Sequence, residues 1–110
     1  MSNGLFFAFS NPTEGNEEAF NAWYDSVHIH EVCRLSGVVS GQRYALAPLE
    51  GAPAPAQRYL AVYEITSSPM EIMAGFGAAM QTGELTVDPS LDLTTMSMSF
   101  WSPQGPEVTG

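Results

Sequence analysis

The chain is poor in basic residues. Only three of its 110 residues are basic, all of them arginine, against twelve Asp and Glu, so the formal net charge is −9. Nucleic acids and anionic membrane surfaces are bound through clusters of Lys and Arg. This charge therefore argues against nucleic acid and membrane as partners, and its simplest consequence is solubility.

Cysteine and long apolar runs are also scarce. The single Cys33 excludes a disulfide within the chain and favours a reducing compartment, where we expect it to be a small core residue. The first ten residues have neither a basic n-region nor a long apolar run, so no signal peptide is expected. No segment approaches the roughly 20 apolar residues of a membrane span. The default location is then the cytoplasm.

Motifs for common cofactors are missing as well. The chain contains no GxGxxG, GxxxxGKS/T, GxSxG, CxxC or HExxH. Nucleotide binding is thus unsupported, and we expect no cofactor. His28, His30 and Glu31 are residue types that bind metals, but positions i and i+2 of a helix lie on different sides. No metal site is expected there.

What remains is one domain with a packed core, since 45% of the residues are hydrophobic. We place it at residues 1–102, with a loose Pro- and Gly-containing tail at 103–110. Short apolar or alternating runs predict strands at residues 5–9, 38–47, 58–66 and 91–101. Helices are predicted between the first two strands and between the last two, ending at Gly37 and near Gln81. The order is that of the ferredoxin-like α+β fold, βαββαβ, a four-stranded antiparallel sheet with two helices on one face.

The predicted strands carry apolar residues on both of their faces. In residues 58–66, for example, Tyr59, Ala61 and Tyr63 alternate with Leu60 and Val62. The helices can cover only one face of the sheet, so the other face needs a partner. A homodimer that stacks two such sheets into one barrel would supply that partner.

The ionisable side chains are concentrated in residues 20–44, which hold both histidines and two of the three arginines among aromatic residues. His28 is the strongest candidate for acid/base chemistry. On a continuous helix Asp25 lies three residues before it and Glu31 three residues after it, within reach of the ring. A carboxylate on one imidazole nitrogen would fix the tautomer and leave the other nitrogen to accept a proton. A structural histidine that holds the end of a helix is the alternative.

The pattern W-Y-D-x-V-H-x-x-E-V, followed by S-G-V-V-S-G-Q-R-Y, resembles the EthD-like family of dimeric α+β barrel proteins. Members commonly carry WYDEVHLPEVLAVPGFVSARRY, with Pro where this chain has His30, so the first helix is expected to be more continuous here. The resemblance implies a sheet-to-sheet homodimer with a cleft between sheet and helices. Its relatives include cofactor-independent monooxygenases, polyketide cyclases and haem-handling proteins. The matching positions are Trp23, Tyr24, Asp25, Val27, His28, Glu31, Val32, Gly37, Val39, Ser40, Arg43 and Tyr44.

Five side chains are expected to carry chemistry. His28 would be the general base or acid, oriented by Asp25 or Glu31, and Tyr24 would be a second proton donor. Arg43, on the second strand, would stabilise negative charge that develops on a carbonyl oxygen.

Packing roles compete with these assignments. Glu31 falls on the apolar stripe of the predicted helix, so it must be paired, and Arg34 or Arg43 could be its partner. His30 lies at the edge of the same stripe and could instead be exposed. The substrate-binding wall is expected to come from Trp23, His30, Phe6, Met73, Phe76, Met80, Phe100 and Trp101.

Three functions fit these features. The first is a cofactor-independent cyclase, lyase or monooxygenase-like enzyme that acts by general acid/base chemistry on a hydrophobic aromatic or polyketide-like substrate. The second is a non-catalytic protein that binds an apolar ligand, such as haem or a pathway intermediate, with His28 or His30 as a possible iron ligand. The third is a structural partner within a larger oxidising system.

Overall fold

The computed structural model describes residues 4–110 and contains one four-stranded antiparallel sheet. Its strands are β1 (Gly4–Ser10), β2 (Val38–Ala45), β3 (Tyr59–Ile65) and β4 (Ser97–Trp101), in the order β2-β3-β1-β4. The helical elements are α1 (Glu17–Trp23), a π-helical turn (Tyr24–His28), α2 (Ile29–Cys33) and α3 (Pro69–Thr82). This is the ferredoxin-like α+β arrangement predicted from the sequence.

Two sequence predictions extend into residues 1–3, which lie outside the described part of the chain. They are the absence of a signal peptide in the first ten residues and the start of the domain at residue 1. At the other end, residues 103–110 form no helix or strand and are exposed. None of the helices within residues 4–110 is both long and apolar enough to cross a membrane.

The first helical segment runs without a break from Glu17 to Cys33, as expected from the loss of the family's proline, but its middle turn is wide. A π-helical turn is closed by i→i+5 hydrogen bonds, so it rotates less per residue than an α-helix and shifts all later side chains around the axis. A regular helix would place Val27 and Glu31 near the centre of the buried stripe. Instead Val27 is exposed, and the buried positions recur every four residues at Phe20, Tyr24, His28 and Val32.

The helix α3 begins and ends at the predicted signals. Ser68 and Glu71 form a capping box, Pro69 occupies the first turn, and Gly83 ends the helix with a φ of 82°. The buried residues Ile72 and Ala79 face the sheet, and Phe76 packs partly buried against the core between them. This orientation brings Phe76 towards the same face of the sheet as His28.

The helix-covered face of the sheet forms the core. Phe6 of β1 lies opposite Tyr63 of β3 and Phe100 of β4, and these rings stack with centroid distances of 5.5 and 4.7 Å. The strand β4 is shorter than predicted, because residues 91–96 form a single bridge from Leu91 to Pro12 and then a turn. This segment leaves the sheet and crosses one end of the core.

The opposite face of the sheet has no helix on it, and we call it the open face. Direct cross-strand neighbours share a face, so the strand pairing identifies its members. Two of its aromatic side chains, Tyr44 and Trp101, are more than half exposed. The apolar residues of the open face are Leu5, Phe7, Phe9, Tyr44, Leu60, Val62 and Trp101.

Candidate functional site

A narrow cleft lies between the helices and the covered face of the sheet. Four of the side chains that line it are polar or titratable, namely Ser10, Tyr24, His28 and Tyr63. The space that the centre of a water molecule can occupy is about 20 Å³, which is room for about one water. The apolar wall includes Phe6, Val32, Phe76, Leu91, Met96 and Met98.

Three of the side chains that line this cleft carry a buried polar atom without a hydrogen-bond partner in the described part of the chain. The three atoms are Ser10 Oγ, His28 Nδ1 and Tyr63 Oη. Leaving a buried polar group unpaired costs about 1–3 kcal/mol, so such groups are few in native proteins. Three of them on side chains that line one cleft indicate a site that a ligand or a water completes.

His28 reaches the cleft because it ends the wide turn. Its ring stacks on Trp23 at a centroid distance of 4.6 Å and meets the edge of Tyr24 at 4.8 Å. The nearest carboxylate is that of Glu31, with 3.8 Å between Nδ1 and Oε1, which is too long for a hydrogen bond but close enough for electrostatic attraction. Burial lowers the pKa of His28 to about 4, and the charge of Glu31 only partly opposes this effect. The imidazole is therefore uncharged at pH 7.

Two buried tyrosine hydroxyls accompany the imidazole. Tyr24 lies on the wide turn and Tyr63 on β3, and both are nearly inaccessible to solvent. Burial raises the pKa of each hydroxyl, and the neighbouring Tyr24 raises that of Tyr63 further. Both groups stay protonated and can donate a hydrogen bond to a ligand oxygen.

Tyr63 and Ser10 were not identified from the sequence. The alternation in β3 indicated only that Tyr63 belongs to one face of a strand, and nothing marked Ser10 as a site residue. The signal that distinguishes Tyr63 is its neighbour Gly41, which strand pairing places directly opposite. A Cβ at position 41 would lie 2.8 Å from the Tyr63 ring, so glycine leaves the space that this ring occupies.

Arg43 lies behind the cleft and does not line it. Its Nη1 donates to Asp25 Oδ1 at 2.8 Å and its Nη2 to Asn21 Oδ1 at 2.9 Å, while the guanidinium carbon lies 4.4 Å from the centroid of the Tyr24 ring. This placement differs from the direct contact with a carbonyl oxygen that the sequence suggested. Arg43 instead supports Tyr24 from outside the cleft.

The two predicted carboxylates have separate partners. Asp25 is largely exposed and pairs with Arg43, so it is not the residue that orients His28. Glu31 accepts hydrogen bonds from the backbone N–H of Thr86 at 3.2 Å and from its hydroxyl at 3.4 Å, rather than pairing with Arg34 or Arg43. Thr86 belongs to the segment between α3 and β4, which also carries part of the cleft wall. Glu31 thus ties this wall to the helix of His28.

Two of the eight residues predicted for the substrate-binding wall line this cleft. Phe6 and Phe76 line the cleft, whereas Trp23 lies behind His28 and Phe100 behind Phe6. The other four predicted residues do not line the cleft. His30 is turned outward by the wide turn, and two methionines lie on the outer side of α3. The tryptophan lies on the open face because neighbouring residues of a strand point to opposite faces. These four exposed residues are His30, Met73, Met80 and Trp101.

Side chains of the types that bind metals, including the single thiol, do not cluster in the described part of the chain. Within residues 4–110, no group of three or more His, Cys, Asp or Glu side chains could hold a metal ion. Cys33 is free and only partly buried, and burial raises its pKa. It packs beside the core near Tyr63 as a thiol.

The burial of His28 predicts that stability depends on pH. An unfolded histidine titrates near pH 6.5, whereas the folded His28 has a pKa of about 4. The unfolded state therefore binds more protons between these values, and the free energy of unfolding should fall as the pH falls from 6.5 to 4. The expected loss is about 3 kcal/mol, measured by urea unfolding at several pH values.

His28→Asn should remove most of this pH dependence. The control is His30→Asn, which replaces the exposed histidine and should leave the dependence as in the wild type. A His28→Asn variant that still loses stability over the same interval would contradict the assignment.

The unpaired hydroxyl of Tyr63 predicts an unusual response to mutation. Tyr63→Phe should leave the free energy of unfolding unchanged or raise it by about 1 kcal/mol, because the Tyr63 hydroxyl makes no hydrogen bond of normal geometry and interacts only with the neighbouring Tyr24 hydroxyl. The matched control is Tyr59→Phe, since Tyr59 donates to Glu17 Oε2 and accepts from Asn21 at 3.2 Å. That variant should be less stable by about 1 kcal/mol. Equal losses in the two variants would show that Tyr63 is hydrogen-bonded within the folded chain.

Comparison with known proteins finds the fold but no close relative. No family model matches the chain, and no curated protein matches its sequence. An ethyl tert-butyl ether D (EthD) family protein from Bacillus halodurans C-125 is 14% identical, with a TM-score of 0.54 over 98% of this chain and 100% of that one. The fold implied by the sequence resemblance is thereby supported.

Two further solved structures share the fold and were solved with a ligand bound. The MhuD R26S mutant, with two manganese protoporphyrin IX molecules per active site, is 16% identical, with a TM-score of 0.63 and coverage of 97% and 99% of the two chains. A monooxygenase from the ActVA-Orf6 gene of Streptomyces coelicolor, in complex with nanaomycin D, is 14% identical, with a TM-score of 0.57 and coverage of 99% and 93%. The chain thus has the α+β fold of the EthD family protein and of these ligand-binding proteins.

Proposed function

We propose that the protein binds a hydrophobic, ring-containing small molecule in the cleft and removes a proton beside a carbonyl group of that molecule, without a cofactor. The observation that carries this proposal is that three side chains lining one otherwise apolar cleft carry a buried, unpaired polar atom, one of them on an uncharged imidazole. An acid/base group in such surroundings is a candidate for catalysis.

His28 is the general base in this proposal. It is uncharged at pH 7, so it has a lone pair that can accept a proton from the ligand. The imidazolium formed would be stabilised by the Glu31 carboxylate, 3.8 Å away, and by the face of the Trp23 ring on which it stacks. Glu31 and Trp23 interact more favourably with the imidazolium than with the uncharged imidazole. Interactions of this kind lower the free-energy barrier to proton transfer.

The tyrosines would stabilise the other charge that develops. When a proton leaves the carbon beside a carbonyl, negative charge accumulates on the carbonyl oxygen. The protonated Tyr63 hydroxyl, with Tyr24 beside it, can donate a hydrogen bond to that oxygen in a site with little water. Arg43 acts as a positioning residue, because its guanidinium lies against the Tyr24 ring. Cyclisation, elimination and oxygenation can each begin from such an enolate.

The fold neighbours support the ligand class. One was solved with nanaomycin D and another with two manganese protoporphyrin IX molecules.

The alternative is a protein that binds such a ligand without changing it. An uncharged, buried imidazole is also a ligand for haem iron, and the porphyrin in the MhuD structure favours this second candidate. Haemin added to the protein would then give a new visible absorption band, and His28→Ala would abolish it. Haemin binding without any proton-transfer activity would favour this candidate over the enzyme.

Catalysis can be tested with 2-tetralone, an aromatic ketone whose acidic C–H bonds lie beside the carbonyl. The wild type should accelerate exchange of these hydrogens in D2O, measured by mass spectrometry. The rate should rise with pH through about 4 and then level off, because only uncharged His28 accepts a proton. His28→Asn should reduce the acceleration by about 10²-fold or more, and Tyr63→Phe by about 10-fold or more.

The control for this assay is His30→Asn, which removes the exposed imidazole and should exchange 2-tetralone as the wild type does. If His28→Asn matches the wild type, His28 is not the base. If the wild type gives no acceleration over buffer, the proton-transfer proposal fails.

We also propose that the protein is a homodimer joined through the open face. Seven apolar side chains lie side by side there, on a sheet that no helix covers. Val62 lies near the middle of this face, so Val62→Glu should convert a dimer to a monomer in sedimentation experiments. Met70→Glu, at an 83% exposed residue of α3, is the control and should remain dimeric. A monomeric wild type would refute the dimer.

A further inference from the structure

We infer that the cleft selects uncharged aromatic ligands that carry an oxygen atom, such as phenols and ketones, and excludes organic anions. This inference rests on the proposed function only in placing the ligand in the same cleft. It concerns which molecules bind there, and it holds whether or not a reaction follows.

The first argument is the distribution of charge. Among the described residues that line the cleft, none is Asp, Glu, Lys or Arg. The nearest arginine, Arg43, is outside the cleft and has both ends of its guanidinium bound, to Asp25 and Asn21. His28 is uncharged at pH 7, so it offers no positive charge to a ligand.

A carboxylate ligand would therefore be buried without a counter-charge. It would also lie close to Glu31, whose carboxylate is 3.8 Å from the His28 ring, in a chain with a formal net charge of −9. Burying an unpaired charge is strongly unfavourable, and a like charge nearby adds to the penalty. The cleft should therefore bind anionic ligands more weakly than uncharged ones.

The second argument is the pair of unpaired hydroxyls. Ser10 Oγ and Tyr63 Oη are buried without hydrogen bonds among the described residues, and both side chains line the cleft. A ligand oxygen can pair with them, whereas a hydrocarbon of the same shape leaves them unpaired. The remaining wall is apolar and largely aromatic or methionine, which suits a flat ring.

The cleft must widen for a ring to enter, since it now has room for about one water. Met96 and Met98 line it and are only partly buried or exposed, and methionine side chains repack easily. A ligand oxygen would replace the water, and its ring would displace these two side chains.

Three probes with the same naphthalene ring test the inference by NMR titration of the full chain at pH 7. They are 1-naphthol, 1-methylnaphthalene, in which a methyl group replaces the hydroxyl, and 1-naphthoate, which carries a negative charge. We expect 1-naphthol to bind the wild type at least as tightly as the more hydrophobic methyl compound. We expect 1-naphthoate to bind at least tenfold more weakly than 1-naphthol.

Variants then locate the source of the preference. Tyr63→Phe and Ser10→Ala should each weaken the binding of 1-naphthol, relative to that of 1-methylnaphthalene, by about fivefold. That ratio corresponds to the loss of one hydrogen bond. Tyr59→Phe is the control, because Tyr59 does not line this cleft, and it should keep the wild-type ratio.

Four results would overturn the inference. These are equal binding of 1-naphthoate and 1-naphthol, weaker binding of 1-naphthol than of the methyl compound, an unchanged ratio in both hydroxyl variants, and no binding of any probe. Failure of the proposed reaction has a different signature. If 1-naphthol binds selectively but hydrogen exchange of 2-tetralone is not accelerated, the inference about ligand selectivity holds and the proposed proton-transfer activity is contradicted.

Discussion

The wide turn at Tyr24–His28 determines which side chains of the first helix face the sheet. Because it rotates less per residue than a regular turn, positions four apart stay on one side, and the imidazole enters the core between two aromatic rings. Burial lowers the pKa of His28 to about 4, so its ring stays uncharged well below neutral pH. The chemistry that we propose depends on this uncharged ring, which a regular helix would have placed nearer the edge of the buried stripe.

Charged and uncharged polar groups have different positions around the cleft. Arg43 and Asp25 join β2 to the wide turn from outside, and Glu31 joins α2 to the segment that carries Thr86. Among residues 4–110, the polar side chains that line the cleft are all uncharged at pH 7. The ionic contacts join the walls outside the cleft, where the Arg43 and Glu31 side chains are only 13% and 10% exposed. The interior stays suited to an apolar molecule.

The fold was predictable because each element has a local signal. Alternation marked β3, and the capping residues around Ser68 and Gly83 marked both ends of α3. The site was less predictable. His28 and Tyr24 were found from their clustering, but Tyr63 belongs to it through strand register opposite Gly41, which no local pattern encodes. The outward direction of His30 follows from a wide turn that hydrophobic spacing does not reveal.

The same turn also carries one surplus residue. A π-helical turn forms when one amino acid is inserted into a regular helix. Here the widened part of the turn lies on the solvent side, at the exposed residues Ser26 and Val27. Removing Ser26 would place the imidazole three positions after Tyr24, which still faces the sheet in an ordinary α-helix. In this stretch, the number of residues in the helix can change without changing which side of the helix faces the sheet. Deletion of one residue at this turn would therefore shorten the helix and leave the same side facing the sheet.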